Sequence, residues 1–258
     1  MKLYFKYISM ILKSQMQYKL SFFMTAIGQF IVSFTAFLGV WFMFDRFDAV
    51  EGYTLSEVLL CFSVVLMAFS LTECFVRGFD VFPKLIKSGD LDRILVRPRG
   101  VAFQVLTSNI EFSRVGRFLQ SVLMLIIAIP TSGIDFTPDK IICLVLMVIG
   151  GIATFSALFV IYASISFFTI EGLEFMNIFT DGAREFGKYP VSIYGEGVLK
   201  FLTYVVPIAL FQYYPLNYLI GKTDNWLYML LPLCGFVLLV PALFAFRFGL
   251  SKYKSAGS

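Results

Sequence analysis

Long apolar runs separated by clustered charge constrain this chain more than any other feature. Stretches of 18 or more apolar residues have no aqueous fold available to them. In lipid only a helix satisfies every backbone donor and acceptor within its own segment. The charged residues gather between these runs and make up 15% of the chain, against about 25% in soluble domains, while 59% of the residues are apolar. An all-α integral membrane protein follows, with nearly the whole length used in spanning and little left for a soluble domain.

Hydropathy and punctuation place six spans, at residues 21–44, 55–76, 104–130, 140–170, 198–220 and 226–246. Ahead of them, residues 1–20 read as an amphipathic helix in the membrane interface rather than a signal peptide. Lys6 and Lys13 interrupt its apolar run, and no small-residue cleavage site follows. Leu3, Tyr7, Met10 and Ile11 fall on one face at helical spacing, with Lys2, Lys6, Ser9 and Lys13 opposite. Trp41 and Trp226 sit at span ends, as interfacial aromatics do. Gly150, Gly151, Ala153 and Ala157 give the fourth span a small-residue face for close packing.

Lys and Arg set orientation. With both termini cytoplasmic, eighteen of the twenty-one lie inside, leaving Arg46, Lys140 and Lys222 outside. The fifth span has two placements. Pro207 and Pro215 break the run 198–220, and a helix near residues 171–188 followed by a re-entrant 189–221 keeps the same orientation.

Several chemistries are excluded. The chain has no His, which removes imidazole-dependent hydrolases, triads and proton relays, and its four Cys lie in apolar runs without CxxC spacing. GAREFGKY (182–189) imitates a phosphate-binding loop, yet Tyr189 replaces the hydroxyl that would hold magnesium, and Pro190 opposes the required helix. The span centres read as free of charge, with Glu57, Glu73 and Glu111 near span ends and Glu73 four residues from Arg77. Gln29 and Gln120 are the deeper polar side chains and read as helix–helix contacts. No catalytic constellation, cofactor site or metal site is expected.

The exception to this pattern is the polar stretch 77–103, which begins RGFDVFPKLIKSGDLDRILVRPRG and carries six Lys and Arg by residue 100. It reads as two short helices about Gly89. Pro83 is tolerated in the first turn of one, and Asp90 stands as N-cap of the other, where Leu91 and Leu95 share a face before Pro98. Pattern alone leaves two readings: a helix that docks a partner through its leucines, or one that lies on lipid through its basic residues.

GDLDRILVRPRG resembles the cytoplasmic-loop motif of ABC-2 permeases, in particular a subfamily with G-x-L-D-x-x-L-x-R-P; Gly89, Leu91, Asp92, Leu95, Arg97 and Pro98 match it. Further matches lie at Tyr189–Pro190, at Pro207, Tyr214 and Pro215, and at a terminal G-L-x-x-Y-x-S-x-G formed by Gly249, Leu250, Tyr253, Ser255 and Gly257. Phe246 stands where relatives often carry Trp. The resemblance implies a six-helix, type V exporter-like permease of a bacterial plasma membrane, with an interfacial N-terminal helix. It implies a second permease half, related or identical, and a separate cytoplasmic ATPase dimer that binds the ATP and magnesium. Leu85, Leu91, Asp92, Leu95 and Arg97 would couple to that ATPase, and the substrate would be amphipathic or hydrophobic. The rivals are a self-contained secondary transporter, which lacks the usual intramembrane charge here, and a scaffold that transports nothing.

Overall fold

The computed structural model describes residues 2–47, 49–169 and 177–254. Ser255, Gly257 and the segment 170–176 of the expected fifth-span region lie outside the described residues. Among the described residues the chain is helical without strands. Five helices are long and apolar enough to cross a membrane: Leu3–Arg46, Leu55–Lys87, Phe112–Thr131, Pro138–Ile165 and Leu227–Lys252. A bent pair of shorter helices makes a sixth crossing if counted as one.

At the N-terminus α1 (Lys2–Gln15) runs through a 3-10 turn into α2 (Lys19–Arg46). Its inward face is offset from the sequence expectation. Tyr4 and Tyr7 meet the Phe103 ring edge-on, and Gln15 donates to the Ile110 carbonyl at 2.6 Å, while Leu3 and Met10 are exposed. The third and central helix, α3 (Leu55–Asp80), starts where the Glu57 carboxylate accepts the Thr54 N–H at 2.8 Å. It is buried on nearly every side, from Val58 through Phe69. Helices α7 (Val115–Thr131) and α8 (Pro138–Ile165) pack against it, and α14 (Cys234–Lys252) packs on α8.

Close approach needs glycine at several crossings, among them α7 on α2 and α14 on α8. A Cβ on Gly116 would stand 1.8 Å from the Ala26 carbonyl oxygen, so α7 and α2 touch backbone to backbone. On the other side of the bundle, a Cβ on Gly235 would lie 2.5 Å from the Gly150 oxygen, and one on Gly150 would lie 2.3 Å from the Pro232 oxygen. Without a hydrophobic force between helices in lipid, such contacts supply the dispersion that holds them.

Two expected spans are interrupted. The stretch 104–130 is not one helix. Between α3 and α7 stand α4 (Phe82–Lys87), α5 (Asp90–Leu95) and α6 (Val101–Leu106). Helix α6 stops because Thr107 Oγ1 donates to the Phe103 carbonyl at 3.0 Å and Ser108 Oγ to that of Val105 at 2.7 Å, local bonds that compete with helix propagation. The Glu111 N–H then ties the chain to the Cys74 carbonyl on α3 at 3.1 Å.

The run 198–220 is also broken. Helix α9 (Asn177–Phe186) and α10 (Glu196–Tyr204) lie side by side in opposite directions, as the ring contacts Phe186–Tyr194 and Phe179–Phe201 require. The chain then bends by 86° into α11 (Ile208–Phe211) and α12 (Tyr213–Leu219). Pro207 sits at the bend, without an N–H to give and biasing Val206 away from helical angles. Helix α12 reaches the end of the bundle opposite α4–α5. There Tyr53 Oη donates to Asn217 at 3.0 Å and Tyr218 Oη to Asp139 at 2.8 Å. A short helix α13 (Leu227–Leu230) precedes α14.

Replacing Gly116 by Val forces α7 away from α2, at a cost of about 1–3 kcal/mol for an overpacked contact. Thermal unfolding of the purified variant in detergent should show a clearly lowered midpoint, whereas Gly39→Val, at a position open to space, should not.

Candidate functional site: the two-helix loop and the charge cluster beneath it

Helices α4 and α5 are seated rather than tethered. Phe82, at the start of α4, is fully buried between Phe167 and Phe246, with ring centroids 5.0 and 5.3 Å away. Phe246 of α14 also meets Phe79 at 5.3 Å and Phe167 at 5.4 Å, so one ring joins the end of α3, the loop and the last helix. Tyr253 stacks its edge on Phe167, and a Cβ on Gly249 would come within 2.4 Å of the same ring. Thus Gly249, Tyr253 and Phe246 of the C-terminal segment serve as the floor on which the loop rests.

Gly89 takes φ +73°, a left-handed turn that an L side chain resists, and it separates the two helices. Asp90 is the first residue of α5 rather than its cap. Ser88 Oγ donates to its carboxylate at 2.7 Å, which together with Arg93 at 3.3 Å holds the carboxyl below its ordinary range. At the other end Gln104 Nε2 donates to the carbonyls of Ile94 at 3.1 Å and Arg99 at 2.9 Å, clamping the close of α5.

This seating corrects the expected face of α5. Leu91 is fully buried and Ile94 nearly so, within the cluster that includes Phe79, Phe82 and Val105. Leu95 is 41% exposed and Val96 84% exposed, and Arg93, Arg97 and Arg99 surround them. Leu85 is half-buried against the same core, and Asp92 is half-buried. The five sequence-predicted residues therefore divide: Leu91 and Leu85 anchor the loop, Leu95 and Arg97 face outward, and Asp92 lies half-buried between the two faces. Val96 was missed. Its signal is the i, i+3 spacing of Leu91 and Ile94, which turns the helix by most of one face.

Beneath the loop lies charge that the sequence reading placed at span ends. Glu73 is 3% exposed, and its carboxylate is shared by Arg77 at 3.3 Å, Arg114 at 3.5 Å and Arg117. Arg77 also reaches Asp80 at 2.7 Å, and Arg114 reaches Glu111 at 2.7 Å. Arg117 donates in addition to Gln29 of α2 at 2.7 Å, the helix–helix contact expected of that glutamine. Farther along α3, Arg184 lies 4.9 Å from the Phe69 ring centre and Lys188 lies 5.6 Å from that of Phe62. The bundle interior is therefore charged: Glu73 and Arg117 lie toward the ends of α3 and α7, as their place in the sequence suggests, and Arg184 and Lys188 reach the side of α3 from outside the five long helices. Fold-level pairing decided this: Arg117 meets Glu73 across two helices, and Arg184 and Lys188 come from the 171–188 stretch that is one of two placements for the fifth span.

The sequence model of a family described as "ABC-2 family transporter protein" matches residues 30–257. The chain belongs to the ABC-2 family. No curated relative and no solved structure matches it. As an ABC-2 membrane domain it is a multi-pass permease component of an ATP-binding-cassette transporter, and this family carries no ATP site of its own. The GAREFGKY segment agrees with that: its Gly182, Arg184 and Phe186 lie inside α9, where a phosphate loop would need extended backbone.

Glu73→Gln leaves three guanidinium groups around a neutral amide. Breaking a buried charge pair in this way costs about 3–5 kcal/mol. The variant should insert but lose thermal stability in detergent far more than Glu196→Gln, whose carboxylate is exposed.

Proposed function

We propose that this chain is one permease half of an ABC exporter. It pairs with a second ABC-2 permease, related or identical, and with a dimer of cytoplasmic ATPases that supply the ATP and magnesium chemistry. In this reading residues 77–103 are the coupling loop, both termini lie in the cytoplasm of a bacterium, and α1 rests in the inner leaflet interface of the plasma membrane. The substrate is amphipathic or hydrophobic and leaves along the seam between permease halves.

The observation that carries the reading is the seating of α4–α5. Helix α5 shows Leu95, Val96, Arg93 and Arg97 outward, while Phe82 and Leu91 lock it to the ends of α3, α8 and α14. A displacement of the outer face is then passed to three long helices at once, because packed cores move as units rather than deform. A loop that merely joined two spans would have no reason to bury two aromatic rings. The eighteen-to-three division of Lys and Arg supports the orientation.

Leu95→Asp with Val96→Asp removes the apolar outer face without touching the buried anchors. The variant should insert and melt like the unaltered chain, yet retain less than about a tenth of the co-purifying ATPase, as loss of a central apolar contact implies. Unchanged co-purification would sink the coupling assignment. Leu91→Asp should instead lower the melting midpoint, because Leu91 is buried.

A further inference from the structure

Between α2, α3, α7 and α9 lies a cavity of about 60 Å³. Ser33 and Leu66 contribute to its walls, and its charged lining is Arg117, Arg184, Lys188 and Glu185. Three cations and one anion line it directly, and Glu73 and Asp181 pair with two of the cations from behind. Glu185 accepts from Arg184 at 2.8 Å and from Lys188, and Asp181 lies 3.3 Å from Arg184. Glu73 behind Arg117 is shared with Arg77 and Arg114, which also hold Asp80 and Glu111, so that cluster is matched in charge and the ligand's place is the one Glu185 now takes beside Arg184 and Lys188.

Depth follows from α3. Arg184 sits over Phe69 and Lys188 over Phe62, while Arg117 holds Glu73. At ~1.5 Å per residue these levels cover about 16 Å along α3, about half the ~30 Å that a hydrocarbon core spans. Charged side chains at such depth face a cavity or one another, and they mark a path for polar cargo. Helix α9 is built for this. Its Arg184–Lys188 side faces the charged cavity, while Ile178, Phe179 and Phe186 on its other side line a separate apolar cavity of about 200 Å³. The charged cavity opens beside an apolar stripe of α2, where Val32 lines its edge and is 66% exposed, next to Ile31 at 55%.

We propose that this cavity receives the small anionic headgroup of an amphipathic substrate, held by Arg184, Lys188 and Arg117 while its chain lies against the apolar stripe of α2. The assignment rests on the exporter reading for its direction of transport, and on the cavity alone for its ligand. The volume admits a phosphate or carboxylate group and little more. Glu185 is half exposed, so it can turn outward as the ligand's oxygens take its place.

The test uses the full chain in uncharged maltoside micelles, without ATPase, and reads its melting midpoint against decyl phosphate, decyltrimethylammonium and inorganic phosphate, each below micelle-forming concentration. Decyl phosphate should raise the midpoint saturably, and the other two should not. Arg184→Gln with Lys188→Gln should raise the half-saturating concentration about ten-fold or more, as loss of charge-assisted hydrogen bonds implies. Arg184→Lys with Lys188→Arg should keep the response. An equal response to the cation, or none to decyl phosphate, overturns the anionic site. An equal response to inorganic phosphate overturns its amphipathic ligand, and an unaltered response in the Gln pair overturns its location. Should the Gln pair fail to fold, Lys188→Gln alone, with the charge selectivity of the unaltered chain, decides the same question. Because no ATPase is present, a loop variant that keeps its ATPase counts against the exporter reading and not against the site, whose binding is read on the chain alone.

Discussion

The interaction on which the rest depends is the Glu73 carboxylate, buried inside an apolar bundle and shared by three guanidinium groups. A lone carboxylate there would cost several kcal/mol of lost hydration. Arg77 comes from its own helix, Arg117 from α7 and Arg114 from the 3-10 turn that leads into α7, so satisfying Glu73 fixes α7 against α3 in register and rotation. Arg117 extends the tie to Gln29 of α2. Apolar faces in lipid slide with little penalty; a shared charge does not. This is why polar contact, rather than hydropathy, sets how the helices of this bundle meet.

A second constraint works at the loop end. Rings of Phe79, Phe82, Phe167 and Phe246 interlock at centroid separations between 5.0 and 5.4 Å, mostly edge to face. Such contacts combine large buried area with preferred geometry. They join α3, the two-helix loop, the end of α8 and α14 into one body. The Phe246 position, where the resemblance leads one to expect Trp, fills that junction fully at 1% exposure. The aromatic floor and the Glu73 cluster lie close along α3, so a push on α5 would be felt where the charged cavity begins.

The sequence was legible where one signal dominated. Apolar length located the long helices, Pro207 announced the break after α10, and the spacing of Glu73 and Arg77 foretold their pairing. It was ambiguous where an element is short. In a six-residue helix, Leu91–Leu95 and Leu91–Ile94 are equally good stripes, and packing against Phe79 and Val105 chose the second. It left α9 as one of two placements for the fifth span, because ten residues reach only about 15 Å and its polar face resembles that of any surface helix. Arg184 and Lys188 become interior residues only because α3 and α2 wall them in.

What the amino-acid sequence determined by itself is the set of segments that cannot stay in water, the side on which positive charge accumulates, and the presence of a structured polar loop. These follow from transfer free energies, which belong to each segment separately. The tertiary structure alone decided which charges lie inside, which side of α5 looks outward, and how the Pro207 segment folds back. Those outcomes depend on pairs of residues far apart in the chain, Glu73 with Arg117 and Phe82 with Phe246, whose energies exist only once the helices have met.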